Sequence, residues 1–152
     1  MPEVWEKYPT ISVQIVGREP RPEVLSLSHD HRVTVTGFVD DERAFLARDT
    51  IFVAPYHNGS GVKHKVLIGM AMGCPTVSTA VGMQGISAVP GTDYLHAESP
   101  AEFANEIIRL IEDPILKAKL GVNSRKVIED SYSWTSIAQV ASSAISQSLK
   151  EK

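Results

Sequence analysis

The sequence predicts an α/β domain with a parallel sheet flanked by helices, and three observations carry that prediction. Short β-branched runs alternate with amphipathic helical stretches along the chain. Ile51-Phe-Val-Ala54 is apolar throughout, as a strand covered on both faces should be. Between that run and Thr76-Val-Ser-Thr79 lie a glycine loop and a helix, so the stretch reads strand, loop, helix, strand. In such sheets ligands bind beyond the carboxyl ends of the strands.

Length and composition set the bounds. A chain of 152 residues is one domain, residues 1–152, long enough for a core. Hydrophobic content of 43% and charged content of 22% are those of a globular protein. A net charge of −3, with no basic stripe, argues against a nucleic-acid partner. A single cysteine excludes an internal disulfide and a cysteine-based zinc site, and suits a reducing compartment. Cys74 falls in a helix-to-strand turn, where it reads as a small buried hydrophobe. No apolar run reaches transmembrane length and no signal peptide opens the chain, so the expected location is cytoplasmic, with the inner membrane face as a variant.

Taken in order, Met1 to Tyr8 reads as the tail of a helix with Val4, Trp5 and Tyr8 on one face. Ile11 to Val16 is a strand ended by Gly17. After the loop Glu19-Pro-Arg-Pro22, Glu23 to Ser28 holds a turn or two of helix. Arg32 to Thr36 is a β-branched strand closed by Gly37. Asp40, Asp41 and Glu42 carry an N-cap signal for a short helix over Arg43 to Ala47; helix capping outweighs a metal site as their reading. Val62, Val66, Leu67, Met70 and Ala71 recur at helical spacing, and Gly73-Cys-Pro75 punctuates that helix. Gly69-x-x-x-Gly73 lets it pack close to the sheet. Val81 to Ile86 is a glycine-punctuated loop, and Tyr94 to Ala97 a short strand. Ser99, Pro100 and Glu102 form a helix start with Ser at N-cap, Pro at N1 and Glu at N3. Asp113-Pro114 breaks that helix, Leu116 to Glu129 forms another, and a last one runs from Ser133 or Trp134 to about Lys150.

The functional signal lies at the start of the helix after Asn58-Gly-Ser-Gly61. Lys63, His64 and Lys65 sit where the helix already presents unpaired N–H groups and partial positive charge. Cations there cost about 0.3–1 kcal/mol each. Either a bound anion offsets that cost, since a glycine loop opening a helix can cradle phosphate, or both lysines point into water. His57 and His64 flank the loop; each could donate to an anion or a sugar hydroxyl, or simply be solvated. The spacing is neither a dinucleotide fingerprint, because His64 takes the third glycine's place, nor a Walker loop, because no Ser or Thr follows the lysine. No Ser/His/Asp order and no paired carboxylates suggest a hydrolase.

A set of motifs in order resembles one family. They are Gln14-Ile-Val-Gly17, Val33-x-Val-x-Gly-Phe-Val-Asp40, Val53-Ala-Pro55, Gly59-Ser-Gly-Val-Lys-x-Lys65, Met70-Ala-Met-Gly-x-Pro75 and Tyr132-Ser-Trp134. From about Trp5 to Ile137 the chain resembles the C-terminal, donor-binding domain of the group 1 (family 4) glycosyltransferases of the GT-B fold. The resemblance implies a Rossmann-like sheet and retaining transfer of a sugar from a nucleoside diphosphate sugar to a glycan or other acceptor. It implies no metal and no cofactor beyond that donor substrate, and a role in polysaccharide biosynthesis. It places donor contacts at Gly59, Ser60, Gly61, Val62, Lys63 and Lys65, with His57 beside them, and base contacts at Phe38, Val39 and Asp41. Gly82 to Ile86 resembles the family's loop near the sugar. A helix N-terminus would then stabilise charge developing on the leaving diphosphate.

Two departures accompany the resemblance. The family's two glutamates fall here at Ser60 and Ile68, and isoleucine cannot accept hydrogen bonds from a donor ribose. The catalytic residues therefore stay unassigned, and a degenerate nucleotide-binding or interaction module without catalysis is the alternative. The family's first strand, central in the order 3-2-1-4-5-6, has no counterpart in residues 1–152. The expectation is a fragment of a two-domain enzyme, lacking the N-terminal acceptor domain and inactive alone. Its unpaired strand edges would be met by a neighbouring chain, as in a homo-oligomer, or by rearranged pairing.

Overall fold

Among the described residues five parallel strands form two sheets rather than one. The computed structural model describes residues 1–46 and 50–150. In the first sheet β1 (Val13–Val16) pairs with β2 (Val33–Gly37), in register from Val13↔Val33 to Val16↔Gly37, with an irregularity between Ile15 and Val16. The second sheet has the order β3-β4-β5: β3 (Phe52–Ala54), β4 (Thr76–Ser78) and β5 (Leu95–His96). Val53 pairs with Val77, and Val77 with Leu95. One edge of β1 and one edge of β3 have no paired strand among the described residues. The sheet thus divides where the resemblance left out its central strand.

Six α-helices among the described residues accompany the strands: α1 (Pro2–Lys7), α2 (Pro22–Leu25), α3 (His64–Ala71), α4 (Pro100–Glu112), α5 (Pro114–Ser131) and α6 (Trp134–Lys150). The predicted start of α4 is observed in full. Ser99 Oγ accepts from Glu102 N, and the Glu102 carboxylate accepts from Ser99 N, so two of the helix's orphan N–H groups are satisfied reciprocally. Asp113 ends α4 and at once caps α5 by accepting from Leu116 N at 2.8 Å, so the Asp-Pro break is a corner between helices.

The core sits on the two faces of the second sheet. On one face Val77, Leu95 and Ala97 pack against Phe103, Ile107 and Leu110 of α4, Leu120 of α5 and Val4 of α1. On the other, Ala54 meets Val66 and Met70 of α3, with Met83, Ile86 and Tyr94. Thr76, Val77 and Ser78 are consequently all buried, as a strand covered on both faces requires. Gly69 of α3 lies against the Phe52 ring, which a β-carbon there would meet at 2.8 Å. Close helix–sheet packing is the role its spacing predicted. Cys74 is fully buried, and desolvation pushes its thiol up to about 11, so it packs as an apolar group.

Several boundaries differ from the sequence reading. The predicted helix over Arg43 to Ala47 is a 3₁₀ turn, Glu42–Phe45; Ala47 lies outside the described residues. Asp41 does cap that turn. Helix α3 begins at His64, two residues after Val62, because Lys63 takes the N-cap position with extended backbone. The strand expected over Tyr94 to Ala97 shortens to Leu95–His96, with Tyr94 contributing an isolated bridge to Pro90.

Candidate functional site

Two surfaces meet at the start of α3. The first is the glycine loop. Gly59 and Gly61 take φ of 112° and 73°, a region that side chains avoid, so the loop can double back tightly before the helix. Lys63 follows the same turn: its Nζ donates to the carbonyl of Gly61 at 2.8 Å and of Gly59 at 3.3 Å. Lys65 reaches the other way. Its Nζ donates to the Val16 carbonyl at 3.1 Å and lies 3.7 Å from a Glu42 carboxylate oxygen. The positive charge crowded at this helix end is therefore offset by carbonyl dipoles and one carboxylate. The backbone N–H groups of His64 and Lys65 have no hydrogen-bond partner among the described residues. They are the orphan donors of a helix start, and they open beside the loop.

The second surface is a cavity of about 370 Å³ beyond the carboxyl ends of β1 and β2. Val16, Gly17 and Arg18 line one side, Gly37 to Arg43 another, and Lys65 and Ile68 of α3 close it. Phe38 is 61% exposed, and the Arg18 guanidinium lies 4.9 Å from its ring centroid. An aromatic face left open and backed by a cation is a stacking platform. Asp41, at the cavity's exposed edge, acts as a cap: its carboxylate accepts from Arg43 N and from two Arg43 guanidinium nitrogens, each at 2.9 Å. Those bonds hold the Asp41 carboxyl below its ordinary range. Burial, with a smaller push from Glu42, raises the nearby Tyr56 phenol.

Of the sequence-predicted residues, the cavity gathers Phe38, Val39, Asp41 and Lys65, together with Ile68. Gly59, Ser60, Gly61, Val62 and Lys63 form the loop on the other side of the same helix start and do not line the cavity. His57 is exposed and lines neither wall. Ile68 presents half-buried hydrocarbon where the resemblance calls for a carboxylate. No group of three or more His, Cys, Asp or Glu side chains placed to hold a metal occurs among the described residues.

Three residues of this region were not singled out in sequence. Arg18 carried a faint signal, since it follows the glycine that ends a strand. Glu42 was read only as helix-cap chemistry, yet it faces Lys65 across the cavity. Tyr132 belonged to a motif without a role. Its phenol donates to the Gly85 carbonyl at 2.8 Å and accepts from Ser87 N at 3.0 Å. Gly85, at φ 76°, sits on Val62 of the glycine loop; a β-carbon there would come within 2.9 Å of the Val62 side chain. The Gly82 to Ile86 turn is thus a wall of the loop.

The pattern of the family described as Glycosyl transferases group 1 matches residues 1–113. A 44.6 kDa protein of the cps region of Klebsiella pneumoniae is 26% identical over 139 residues, which cover 86% of this chain and 36% of that protein. The chain therefore spans about a third of that relative's length. The crystal structure of Anabaena Alr3699/HepE in complex with UDP superposes with a TM-score of 0.78 at 19% identity, over 91% of this chain and 42% of that one. The C-terminal domain of a group 1 glycosyl transferase, LpcC of Francisella tularensis, superposes with a TM-score of 0.64 at 17% identity, over 87% of this chain and 92% of that domain. These likenesses show the fold, the α/β fold of the GT-B enzymes.

Proposed function

The chain belongs to the group 1 glycosyl transferases, and from that premise we propose that it binds the nucleoside diphosphate sugar for a retaining transferase. The observation that carries the reading is the meeting of an aromatic-walled cavity, beyond two strand ends, with a glycine loop and a helix start. The cavity would take the base against Phe38, with Val39 and Asp41 at its edge. The orphan N–H groups of His64 and Lys65 would face the diphosphate, with Gly59, Ser60, Gly61, Val62 and Lys63 around it. Fixed N–H dipoles at that point would stabilise negative charge as the sugar–phosphate bond breaks, without a metal. The complex of HepE, a protein of like fold, with UDP supports a nucleotide as the ligand.

The acceptor would bind on a second domain outside residues 1–152, so the chain alone would not turn over. The free edges of β1 and β3 would be paired by a strand from outside these residues or from a second copy. The reading assigns the protein to polysaccharide synthesis on the cytoplasmic side, and the likeness to a protein of a cps region supports the first of these. No described helix is long and apolar enough to cross a membrane.

Ile68 favours a second reading, a nucleotide-binding module without catalysis. Calorimetric titration with UDP, GDP and ADP sugars tests the donor site, and turnover separates the two readings. The donor-site reading expects micromolar to millimolar binding, weakened by Lys65→Ala and by Lys63→Ala. It also expects Ile68→Glu to tighten binding by about 1 kcal/mol, the worth of a regained ribose hydrogen bond. Silence with every nucleotide would overturn it, and turnover by a chain carrying the second domain would overturn the module.

A further inference from the structure

We propose that Tyr132 is a positioning residue for the donor loop, a latch that fixes the Gly82–Ile86 turn against Val62. The inference rests on the donor-site reading above.

The turn is held at two ends by different chemistry. At its start Thr79 Oγ1 donates to the Tyr56 carbonyl at 2.6 Å and accepts from Gly82 N at 3.1 Å. These groups are interior, and Gly82 has no room to move: a β-carbon would sit 2.2 Å from Ser78 Oγ and 3.0 Å from the Ala54 carbonyl. At its end Ile86 stays in the core, but the residues on either side of it do not. Gly85 and Ser87 are exposed, and their backbone bonds leave the Gly85 carbonyl and the Ser87 N–H to outside partners. One atom satisfies both: the Tyr132 hydroxyl donates to the first and accepts from the second. A hydroxyl can do this because it is donor and acceptor at once, and a phenylalanine ring could do neither.

The geometry makes the latch consequential. Gly85 is the turn's contact with Val62, and Val62 lies between Gly61 and the cap residue Lys63. Release of the turn's outer end therefore frees the wall behind the residues that approach the diphosphate. Tyr132 itself is anchored: it caps the end of α5, its N–H donates to the Ile128 carbonyl at 2.8 Å, and its ring packs on the core beneath α3. The bridge thus runs from the α5 end, through the turn, to the loop.

The test compares two variants of the chain, Tyr132→Phe and Ile108→Ala. Ile108 is a part-buried residue of the opposite core, remote from the loop. Affinities for UDP, GDP and ADP are measured by calorimetry, with melting temperature and amide exchange followed alongside. The latch predicts that Tyr132→Phe weakens the tightest nucleotide roughly tenfold, as misplacing a binding wall does. It also predicts faster exchange at Ser87, while Ile108→Ala melts at least as early yet binds like the parent. Equal affinity of Tyr132→Phe and parent overturns the latch and leaves the donor site standing. Equal weakening by both variants overturns it too, since general destabilisation then suffices. No binding of any nucleotide by the parent removes the donor-site reading and the latch with it.

Discussion

Strands β1 and β4 are both short and both paired in parallel, yet the chain treats them differently. Every residue of β4 is buried between two helical layers. No residue of β1 is, and from Trp5 to Val53 no described residue is fully buried. The half around β4 carries the core, with α3 on one face and α4 and α5 near the other. Around β1 the described residues supply one hydrogen-bonded neighbour strand, a short helix and two 3₁₀ turns, Ser26–His29 and Glu42–Phe45. The candidate cavity lies on the joint between them: its floor comes from the thin half, and Lys65 and Ile68 come from the sealed half. A site on such a joint is sensitive to how the two halves are held. Here Lys65, bonded to the Val16 carbonyl and near Glu42, is a strut across it.

The largest test of this contrast is Leu110→Ala in the sealed half. Leu110 is fully buried, and the truncation is expected to cost about 3 kcal/mol in denaturant melts. The matching change in the thin half, Ile15→Ala, removes a similar side chain that is only half-buried, with an expected cost of about 1 kcal/mol. Equal losses would break the contrast, and would mean that β1 is covered in solution by a further strand or chain. Lys65→Met comes next. It removes the strut while keeping most of the stem, at an expected cost of about 0.5–1 kcal/mol. Its sharper readout is amide exchange, which should quicken in β1 and β2 and stay unchanged in β4.

The smallest effect is in acid. Asp30 is held well below the usual carboxylate range, first by the Arg32 side chain at 2.6 and 2.9 Å and then by the Arg32 backbone N–H. A depressed carboxylate lends stability above its unfolded pKa of about 4 and loses it as pH falls through its folded value. Arg32 also lies 4.0 Å from the Trp5 ring centroid, so the pair ties α1 to the start of β2. Melts of the parent from pH 5 downward should therefore fall more steeply than those of Asp30→Asn. Parallel curves would show that this tie contributes nothing to the thin half.

Much of this was legible in the residues. Periodicity marked the strands and the long helices, because apolar spacing reports directly which face is covered. The capping box at Ser99 and the glycine pressed on Phe52 were readable for the same local reason. The short elements were less so. Glu42 to Phe45 closes as a 3₁₀ turn because the Asp41 cap pairs with Arg43 two residues on, a side-chain arrangement that propensity does not report. The motifs around Gly59 and Phe38 named both sides of the candidate site, but not that they lie on opposite sides of one helix start.

By itself, then, the order of residues determined the α/β class and the glycine loop before α3, since each depends on neighbours within a few positions. Only the tertiary structure decided where the lysines go, that the strands divide into two sheets, and that Tyr132 reaches the turn beside Val62. Those outcomes depend on groups distant in sequence: Lys65 meets a carbonyl 49 positions earlier, and Tyr132 one 47 positions earlier. A long side chain or a free strand edge takes whichever donor or acceptor folding brings within reach, and local sequence holds no record of that choice.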